Sequence, residues 1–398
     1  MTDLRLVEGG QPVLLELDEE AGDALARSAV VTAIRLGGGE WEITPLTKVG
    51  VAFIGGVTIW IQPKVEIARV LFLLGYATKP GWRDDAVALA EVTDLVPALA
   101  QAFVDQADRA IEVGLLQGYT EVDDSLTVLR GRLRDQDQLR KRFGIALPLL
   151  VRFDDHSVNI AENQLLRGAT ELLLRIPGVT ARTRSRLRRL RHVLAEVTPP
   201  IRGAPLPRWS PNRLNQRYHV ALWLAEVLLR RNAVDQAPGD VMVGGFLVDM
   251  AKVFEDFLTA ALTEALRPYG GWCRAQDRHY LDDGEQIVMK PDLVWYFDGA
   301  PAAVVDAKYK AEKPAGFPDA DLYQMLAYCT ALELDEGHLV YARGNAVEVA
   351  HTVRHTGVTI HAHTLDLAAT PADLIAQVAD LASRIVESPG TVAGRAVG

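Results

Sequence analysis

The sequence predicts a mixed α/β chain, α+β overall, with a β-rich N-terminal region, a helical middle and a C-terminal mixed sheet flanked by helices. Three observations predict it. Over roughly the first 75 residues, short alternating apolar runs are separated by glycines. From about Ile67 to Arg231, apolar residues recur at helical spacing. Beyond about Val241, strand-like and helix-like segments alternate. The expected regions are therefore 1–78, 79–240 and 241–398.

In the first region, residues 4–8, 13–17, 40–43 and 57–61 read as strands. Gly37-Gly38-Gly39 and Gly55-Gly56 mark turns, and the second closes a hairpin between 49–54 and 57–61. In the middle, 155–175 carries Val158, Leu165, Leu166, Leu172 and Leu173 at helical spacing. Residues 182–197 set Leu187, Leu190, Leu194 and Val197 in one stripe with arginines on the remaining faces. Five prolines between Thr198 and Asn212 exclude a helix there and predict a semi-rigid connector. A helix over 213–231 follows, and Ala237-Pro238-Gly239 and Gly244-Gly245 break the pattern. The last region predicts a helix over 247–266, strands at 287–297 and 302–309, and a helix at 321–332. Strands at 337–342, 347–355 and 358–365 precede a closing helix at 371–385.

The composition is that of an ordinary globular chain: 398 residues, 49% hydrophobic and 24% charged, which excludes wholesale disorder and a fibrous chain. Cys273 and Cys329 are too few for a multi-thiolate zinc site or a disulfide framework, and are expected to be buried small hydrophobes. No apolar run approaches the 18 or so residues of a membrane span, and the start lacks a signal-peptide core. The expectation is a cytoplasmic protein with no membrane partner. The net charge of −10 argues against nucleic acid until it is divided by segment. Between Ala181 and Arg217 there are ten arginines and one acid, Glu196. Between Leu129 and Arg152, seven basic residues face only Asp135 and Asp137. Charge segregated in this way predicts a basic surface on an otherwise acidic protein.

The chemistry is concentrated between Lys290 and Lys308. Asp298-Gly299 lies between two apolar runs, a strong hairpin signal. With the turn centred near Gly299, facing residues have numbers summing to about 598, so Asp292 falls opposite Asp306. Carboxylates so placed repel unless something positive lies between them. A divalent cation such as Mg²⁺, which takes one or two carboxylates plus phosphate oxygens, suits that geometry. Lys308 projects from the same sheet face as Asp306, where its ammonium could hold a water or stabilise charge on a scissile phosphate. Together these residues are a toolkit for metal-assisted phosphodiester hydrolysis. Alternating Asp and Lys on a hairpin also describes a solvated strand face. Against that, Ala302-Ala303-Val304-Val305 is apolar on both faces, and charges at the end of a buried strand need a partner.

Pro291-Asp292, a 13-residue gap and Asp306-Ala307-Lys308 resemble the PD-(D/E)XK nuclease signature. Glu255, on the preceding amphipathic helix, resembles the glutamate that many members add to the metal site. Gln324-Met325-Leu326-Ala327-Tyr328 resembles the Q-x-x-x-Y motif of the RecB-like branch, whose glutamine lies near the active site. Glu255 also reads as a surface carboxylate beside Asp256, Gln324 as a capping amide and Tyr328 as a core aromatic. Farther upstream, Trp60-Ile61-Gln62-Pro63-Lys64-Val65, Leu129-Arg130-Gly131-Arg132-Leu133, Phe153-Asp154-Asp155 with Glu162-Asn163-Gln164-Leu165-Leu166, and Phe246-Leu247-Val248-Asp249-Met250 resemble McrC. McrC is the nuclease subunit of McrBC-type modification-dependent restriction systems. The resemblance runs collinearly from about residue 45.

It implies that the C-terminal domain cuts DNA with Mg²⁺, or Mn²⁺ in its place, as part of phage defence. Asp292, Asp306, Glu255 and the backbone carbonyl of Ala307 would hold the metal, with Lys308 and Gln324 completing the catalytic set. It implies docking by the N-terminal region on McrB, a hexameric AAA+ GTPase whose GTP hydrolysis McrC stimulates, and it leaves open dimerisation of the complex through this subunit. The chain has no G-x-x-x-x-G-K-[ST] loop, so no nucleotide is expected on it. Two other readings stay open: a regulatory and assembly subunit with a silent nuclease, and a stand-alone RecB-like nuclease for branched or single-stranded nucleic acid.

Two further groups admit two readings each. Arg182, Arg186 and Arg189 form one helical stripe, and Arg184, Arg188 and Arg191 another. They read as DNA-backbone contacts, or as a solvated face or arginines docked on acids. Arg130, Arg132, Arg134, Arg140 and Arg142 pose the same choice. His351, His355, His361 and His363 suggest a metal, but without cysteine or a suitably spaced carboxylate a polar sheet face is the favoured reading.

Overall fold

The computed structural model describes residues 2–78, 94–141, 147–201, 203–231, 244–309, 319–342 and 349–388. Along the chain, β1 (Thr2–Val7), β2 (Val13–Glu16), α1 (Glu19–Arg27), β3 (Val31–Gly37), β4 (Glu40–Pro45), β5 (Lys48–Ile54), β6 (Val57–Gln62) and α2 (Ile67–Thr78) come first. The middle holds α3 (Leu95–Ile111), β7 (Gly118–Leu126), β8 (Arg132–Leu133), α4 (Asp135–Lys141), β9 (Leu149–Ser157), α5 (Ala161–Arg175), α6 (Ala181–Val193) and α7 (His219–Arg231). Then follow β10 (Gly244–Asp249), α8 (Met250–Leu266), β11 (Trp272–Ala275), β12 (His279–Tyr280), β13 (Val288–Met289), β14 (Leu293–Phe297) and β15 (Ala300–Lys308). The chain closes with α9 (Asp319–Leu332), β16 (Glu336–Ala342), β17 (Val349–Thr352), β18 (Thr359–Leu365) and α10 (Pro371–Glu387). The α+β class expected from the sequence is the class found.

By contacts, the chain forms two compact units: residues 1–95 with 236–398, and residues 96–235. The first and third sequence regions therefore share a unit, and β10 shows why. It completes the sheet β1-β6-β5-β10 by pairing antiparallel to β5, Gly244 with Phe53 through Asp249 with Lys48. Two glycines permit the close approach. A Cβ on Gly50 would lie 2.2 Å from Phe246 O, and one on Gly245 would lie 2.2 Å from Val51 O. Both take φ values open to glycine, 129° and 135°. Residues 247–249, expected in a helix, are thus strand. The helix begins only at Met250, where the Asp249 carboxylate caps it by accepting from Ala251 N at 3.0 Å. The strand leading into α8 is in this way tied to the N-terminal sheet. The hairpin of β5 and β6 closes at Gly55-Gly56, as predicted.

The six-stranded sheet has the order β11-β14-β15-β16-β18-β17. β15, β16 and β18 run parallel, and the other strands pair antiparallel to their neighbours. Met325, Tyr328, Cys329 and Leu332 of α9 pack on Val294, Val304, Leu339, Tyr341, Ile360 and Ala362 in one core cluster. Helices α8 and α10 pack on each other and contact β15 and β18, respectively. The strand expected at 287–297 is interrupted at Lys290-Pro291-Asp292, and residues 347 and 348 of another expected strand lie outside the described residues.

The second unit departs most from expectation. Within the supposedly helical middle, β7 pairs with β9 over nine residues, Gly118 with Ser157 through Leu126 with Leu149, and β8 joins the other edge of β9. Residues 155–157, expected in the helix now seen as α5, belong to β9. In β9, Val151 and Phe153 are buried while Arg152 and Asp154 are exposed, the alternation of a half-buried strand. The proline-rich stretch between α6 and α7 forms no long helix, as predicted, and α7 begins at His219, after a short 3₁₀ turn. The predicted break at 237–239 lies outside the described residues.

Candidate active site

The turn of the central hairpin is Asp298-Gly299, with φ of 51° and 83°. Two consecutive left-handed residues are what Asp-Gly supplies to a two-residue hairpin turn. Leu293 pairs with Val305, Val294 with Val304 and Trp295 with Ala303, each summing to 598, while a register shift after Trp295 absorbs one residue near the turn. Continued by one residue, this register sets Asp292 across from Asp306. β15 has strands on both sides, and Asp306 is only 3% exposed.

From that pair a continuous set of polar contacts spreads in both directions. Asp292 Oδ2 accepts the Ala307 backbone N–H at 2.8 Å. Asp292 Oδ1 accepts from Gln276 Nε2 at 2.8 Å, and the same nitrogen donates to Glu255 Oε1 at 2.7 Å. Lys252 reaches Glu255 Oε1 at 2.6 Å and Asp256 Oδ1 at 3.1 Å. On the other side, the Lys308 ammonium forms an ion pair with Asp306 Oδ2 and donates to Gln324 Oε1 at 2.7 Å. Gln324 Nε2 donates to Tyr328 Oη at 2.7 Å. Asp321, buried on α9, lies 3.8 Å from Lys308 Nζ and accepts from Tyr341 Oη at 3.2 Å.

The electrostatics follow from burial. Loss of water pushes the Asp292 carboxyl well above the usual carboxylate range, and the charge of Asp306 pushes it further. The Ala307 N–H and Lys308 pull the other way. Burial raises Asp306 too, against the opposing pull of Lys308. Burial pushes the Tyr328 phenol up to about 12, so it stays a neutral donor and acceptor. A half-buried acid and a buried one face each other at an electrostatic cost that one lysine offsets only in part.

A hard cation fits this arrangement. Asp306 Oδ2 is buried and takes part in no hydrogen bond, only the ion pair with Lys308. Among the described residues, no group of three or more His, Cys, Asp or Glu side chains is placed to hold a metal. The protein's acidic share would therefore be small, which suits Mg²⁺: it commonly keeps one or two carboxylates and fills its octahedron with water and phosphate oxygens. No sulfur and no imidazole stands in the set, so softer metals have no preference for it.

The structure thus gathers Asp292, Asp306, Lys308, Glu255 and Gln324 at one place and adds Gln276, Asp321 and Lys252, which sequence reasoning missed. Asp321 had a faint signal, one turn before Gln324 on the same helix. Gln276 had none. For Ala307, the contact formed is through its N–H to Asp292.

The basic stretches divide between the two readings. Arg186 is docked on α3, with Nη1 on Asp105 at 2.5 Å and Nε and Nη2 on Asp108 at 3.0 and 2.7 Å. Arg182, Arg188, Arg189 and Arg191 are exposed, and Arg184 is half-buried. Arg130 is held by Asp155 at 2.8 Å and lies 4.0 Å over the Phe153 ring, whereas Arg132 and Arg140 are exposed. Arg134 joins Asp123 and Asp137, and Arg142 lies outside the described residues.

Three histidines form a polar patch on the sheet, with His338 and His363 buried and His361 half-buried. His361 and His363 on β18 stack with His338 on β16, a residue sequence reading passed over, with ring centroids 5.3 to 6.0 Å apart. His351 and His355 are exposed. Of the cysteines, Cys329 is buried in the core, while Cys273 is half-buried.

Residues 44–342 match the family described as McrBC 5-methylcytosine restriction system component. That is well over half of the chain. The chain belongs to this family. The collinear motifs that resemble McrC are thereby borne out at family level. The fold is similar to a chain of a Thermococcus gammatolerans assembly described as a half-complex of McrB AAA+ hexamers with bound McrC, with a TM-score of 0.59 and 18% identity. That likeness covers 96% of this chain and 100% of the other. A chain of a second structure, the cryo-EM McrBC complex of the same organism, matches with a TM-score of 0.42 and 20% identity, over 67% of this chain and 88% of that one. No curated protein matches. Among the described residues, no helix is long and apolar enough to cross a membrane.

Proposed function

We propose that this member of the McrBC family is the Mg²⁺-dependent endonuclease subunit, cutting DNA phosphodiesters when assembled with a McrB-like hexameric AAA+ GTPase and stimulating its GTP hydrolysis. The observation that carries the reading is the opposition of Asp292 and Asp306 at the buried end of a hairpin, with Lys308 two residues beyond and Gln324 bound to it. A structural strand face has no use for an acid whose proton affinity is raised by a second, buried acid across from it.

Asp292 and Asp306 would hold the cation, with Glu255 beside them. When bound, Mg²⁺ supplies Lewis-acid polarisation of the scissile phosphate and lowers the pKa of a coordinated water. The remaining work falls to the chain. Asp306 and the Gln324 carbonyl oxygen fix the Lys308 ammonium, leaving N–H capacity for a phosphate oxygen or the incoming water. As negative charge grows on the phosphate, this pre-aimed ammonium stabilises it without reorganising. Tyr328 orients Gln324 by accepting from its amide, so Gln324 presents oxygen rather than nitrogen to the lysine. The Ala307 N–H pins one oxygen of Asp292 and thereby the direction of the other.

DNA would meet the second unit through the exposed arginines of α6, Arg182, Arg188, Arg189 and Arg191, which unlike Arg186 are not docked on α3. The likeness to a chain of the McrB–McrC assembly supports the choice of partner.

The decisive test is Asp292→Ala and Lys308→Ala in the complete complex with its GTPase. Both are expected to abolish cleavage while partner assembly and GTP turnover persist. Cleavage at the wild-type rate by either variant removes the site assignment. GTP stimulation by the wild-type chain with no metal-dependent cuts would favour the regulatory reading instead.

A further inference from the structure

Gln276 follows the last residue of β11 and takes φ of 50°, a left-handed conformation rare for a residue with a Cβ. Such conformations are unfavourable in isolation and persist where the surroundings over-determine them. Here the surroundings are the site itself. The backbone N–H donates to Asp292 O at 3.2 Å, and the side-chain nitrogen lies between Glu255 Oε1 and Asp292 Oδ1 at 2.7 and 2.8 Å.

Glu255 Oε1 and Asp292 Oδ1 both accept from this nitrogen, so the amide turns its nitrogen toward them and its oxygen away. The nitrogen thus marks a point where two acidic oxygens from different elements converge. Its two partly positive hydrogens satisfy them, but weakly compared with a full charge. A divalent cation beside that point would repel the N–H groups and attract the amide oxygen. Half a turn about the terminal amide torsion, which is broad and nearly two-fold, exchanges the two atoms. The same side chain then offers Oε1 where it had offered Nε2, beside Glu255 Oε1 and Asp292 Oδ1. Three hard oxygens, one of them neutral, are a ligand set suited to Mg²⁺. A cleft of about 270 Å³ bordered by Lys252, Glu255, Gln276 and Asp292 gives an ion access. Lys252 shares Glu255 Oε1, but its side chain is 49% exposed and can yield to solvent.

We propose that Gln276 is an amide ligand switch for the divalent cation: nitrogen toward Glu255 and Asp292 without the ion, oxygen toward the ion when it binds. This rests on the reading of Asp292 as a metal ligand, and the test separates the two.

The full-length chain, without DNA, is titrated with Mn²⁺ by electron paramagnetic resonance and melted with and without Mg²⁺. Gln276→Ala is expected to weaken Mn²⁺ binding about 10- to 100-fold, the scale seen when a supporting ligand is lost. Gln276→Glu keeps an oxygen and loses the donors. It should melt lower than wild type without metal, because three carboxylates then converge, and show a larger Mg²⁺-induced rise in Tm. Wild-type or tighter Mn²⁺ binding by Gln276→Ala overturns the switch, as does a Mg²⁺ shift in Gln276→Glu no larger than that of wild type. If Asp292→Ala loses Mn²⁺ while Gln276→Ala does not, the switch fails and the metal site stands. Undiminished Mn²⁺ binding by Asp292→Ala removes the metal site, and the switch with it.

Discussion

The six-stranded sheet carries two polar clusters, and they solve opposite problems. At the β14–β15 end, a half-buried Asp292 faces a buried Asp306 with charge of the same sign, only partly offset by Lys308. On β16 and β18, His338 and His363 are buried near Arg384 and stack with the half-buried His361, and the two buried rings face no such conflict as long as they stay neutral. His338 Nδ1 and His363 Nε2 lie 3.1 Å apart, close enough to share one proton as a hydrogen bond. Burial, with its neighbours' charges, holds His338 well below the ordinary histidine range and takes His363 down to about 3. Asp292 borders a cleft, whereas His338 and His363 are buried. Burial alone therefore does not mark a functional site. What distinguishes the two ends is unresolved charge next to solvent access.

The largest expected effect breaks the comparison at its acidic end. Asp306→Asn should lower cleavage in the complete complex roughly a thousand-fold, the scale of losing a charge-positioning group. The same change should raise metal-free stability by about 1 kcal/mol, because the buried member of two repelling charges is gone. Calorimetry in a chelating buffer checks this. A fall in Tm there would mean that the acids are structural rather than held against their preference.

At the imidazole end the effect concerns pH. The folded-state pKa of His338 and His363 lies below the unfolded value near 6.5, so on acidification the unfolded chain takes up protons first. Stability is then present above about pH 6.5 and falls as pH drops below it, by roughly 1 kcal/mol per pH unit per histidine. Denaturant melts of wild type and His363→Leu between pH 7.5 and 5.5 should show a shallower dependence in the variant. An equal slope would show that His363 is not buried neutral. Cleavage at pH 7.5 should be unchanged.

The smallest effects come from α6, where the same contrast of committed and free charge recurs. Arg186→Ala should cost about 1–2 kcal/mol, since it strips a partly buried guanidinium from Asp105 and Asp108. Arg189→Ala should change stability by less than about 0.5 kcal/mol, yet flatten the salt dependence of DNA binding by close to one unit of slope. Identical stability losses would erase the distinction between the two arginines.

Much of the acidic site was legible because it is local. A two-residue turn and period-two geometry suffice to place Asp292 against Asp306, and the register shift after Trp295 fell on the turn side, leaving that arithmetic intact. The motif order did the same for Glu255 and Gln324. Gln276 was illegible because its role depends on a left-handed backbone and on partners 16 and 21 residues away. His338 was missed because its neighbours arrive by parallel pairing, which no short-range pattern encodes. The β7–β9 ribbon was hidden in a segment whose charged residues, including Asp123, Arg152 and Asp154, mask the inward alternation. Tertiary pairing also overrode a plausible helix start at Leu247.

The pairing of β10 with β5 has a consequence for the order of events during synthesis. Phe53 meets Gly244 only after almost two hundred further residues have been made, while the hairpin of β5 and β6 can close at once. Until then β5 is an open sheet edge, a template for pairing with other chains. Residues 96–235 make their own contacts in the interval. A chain ended before Gly244 should therefore accumulate in the insoluble fraction, and adding residues through Leu266 should restore solubility. The strand that leads into α8, with its Glu255, is also the one that seals the first sheet, so a chain cut short loses its candidate catalytic residues and its protection against aggregation together.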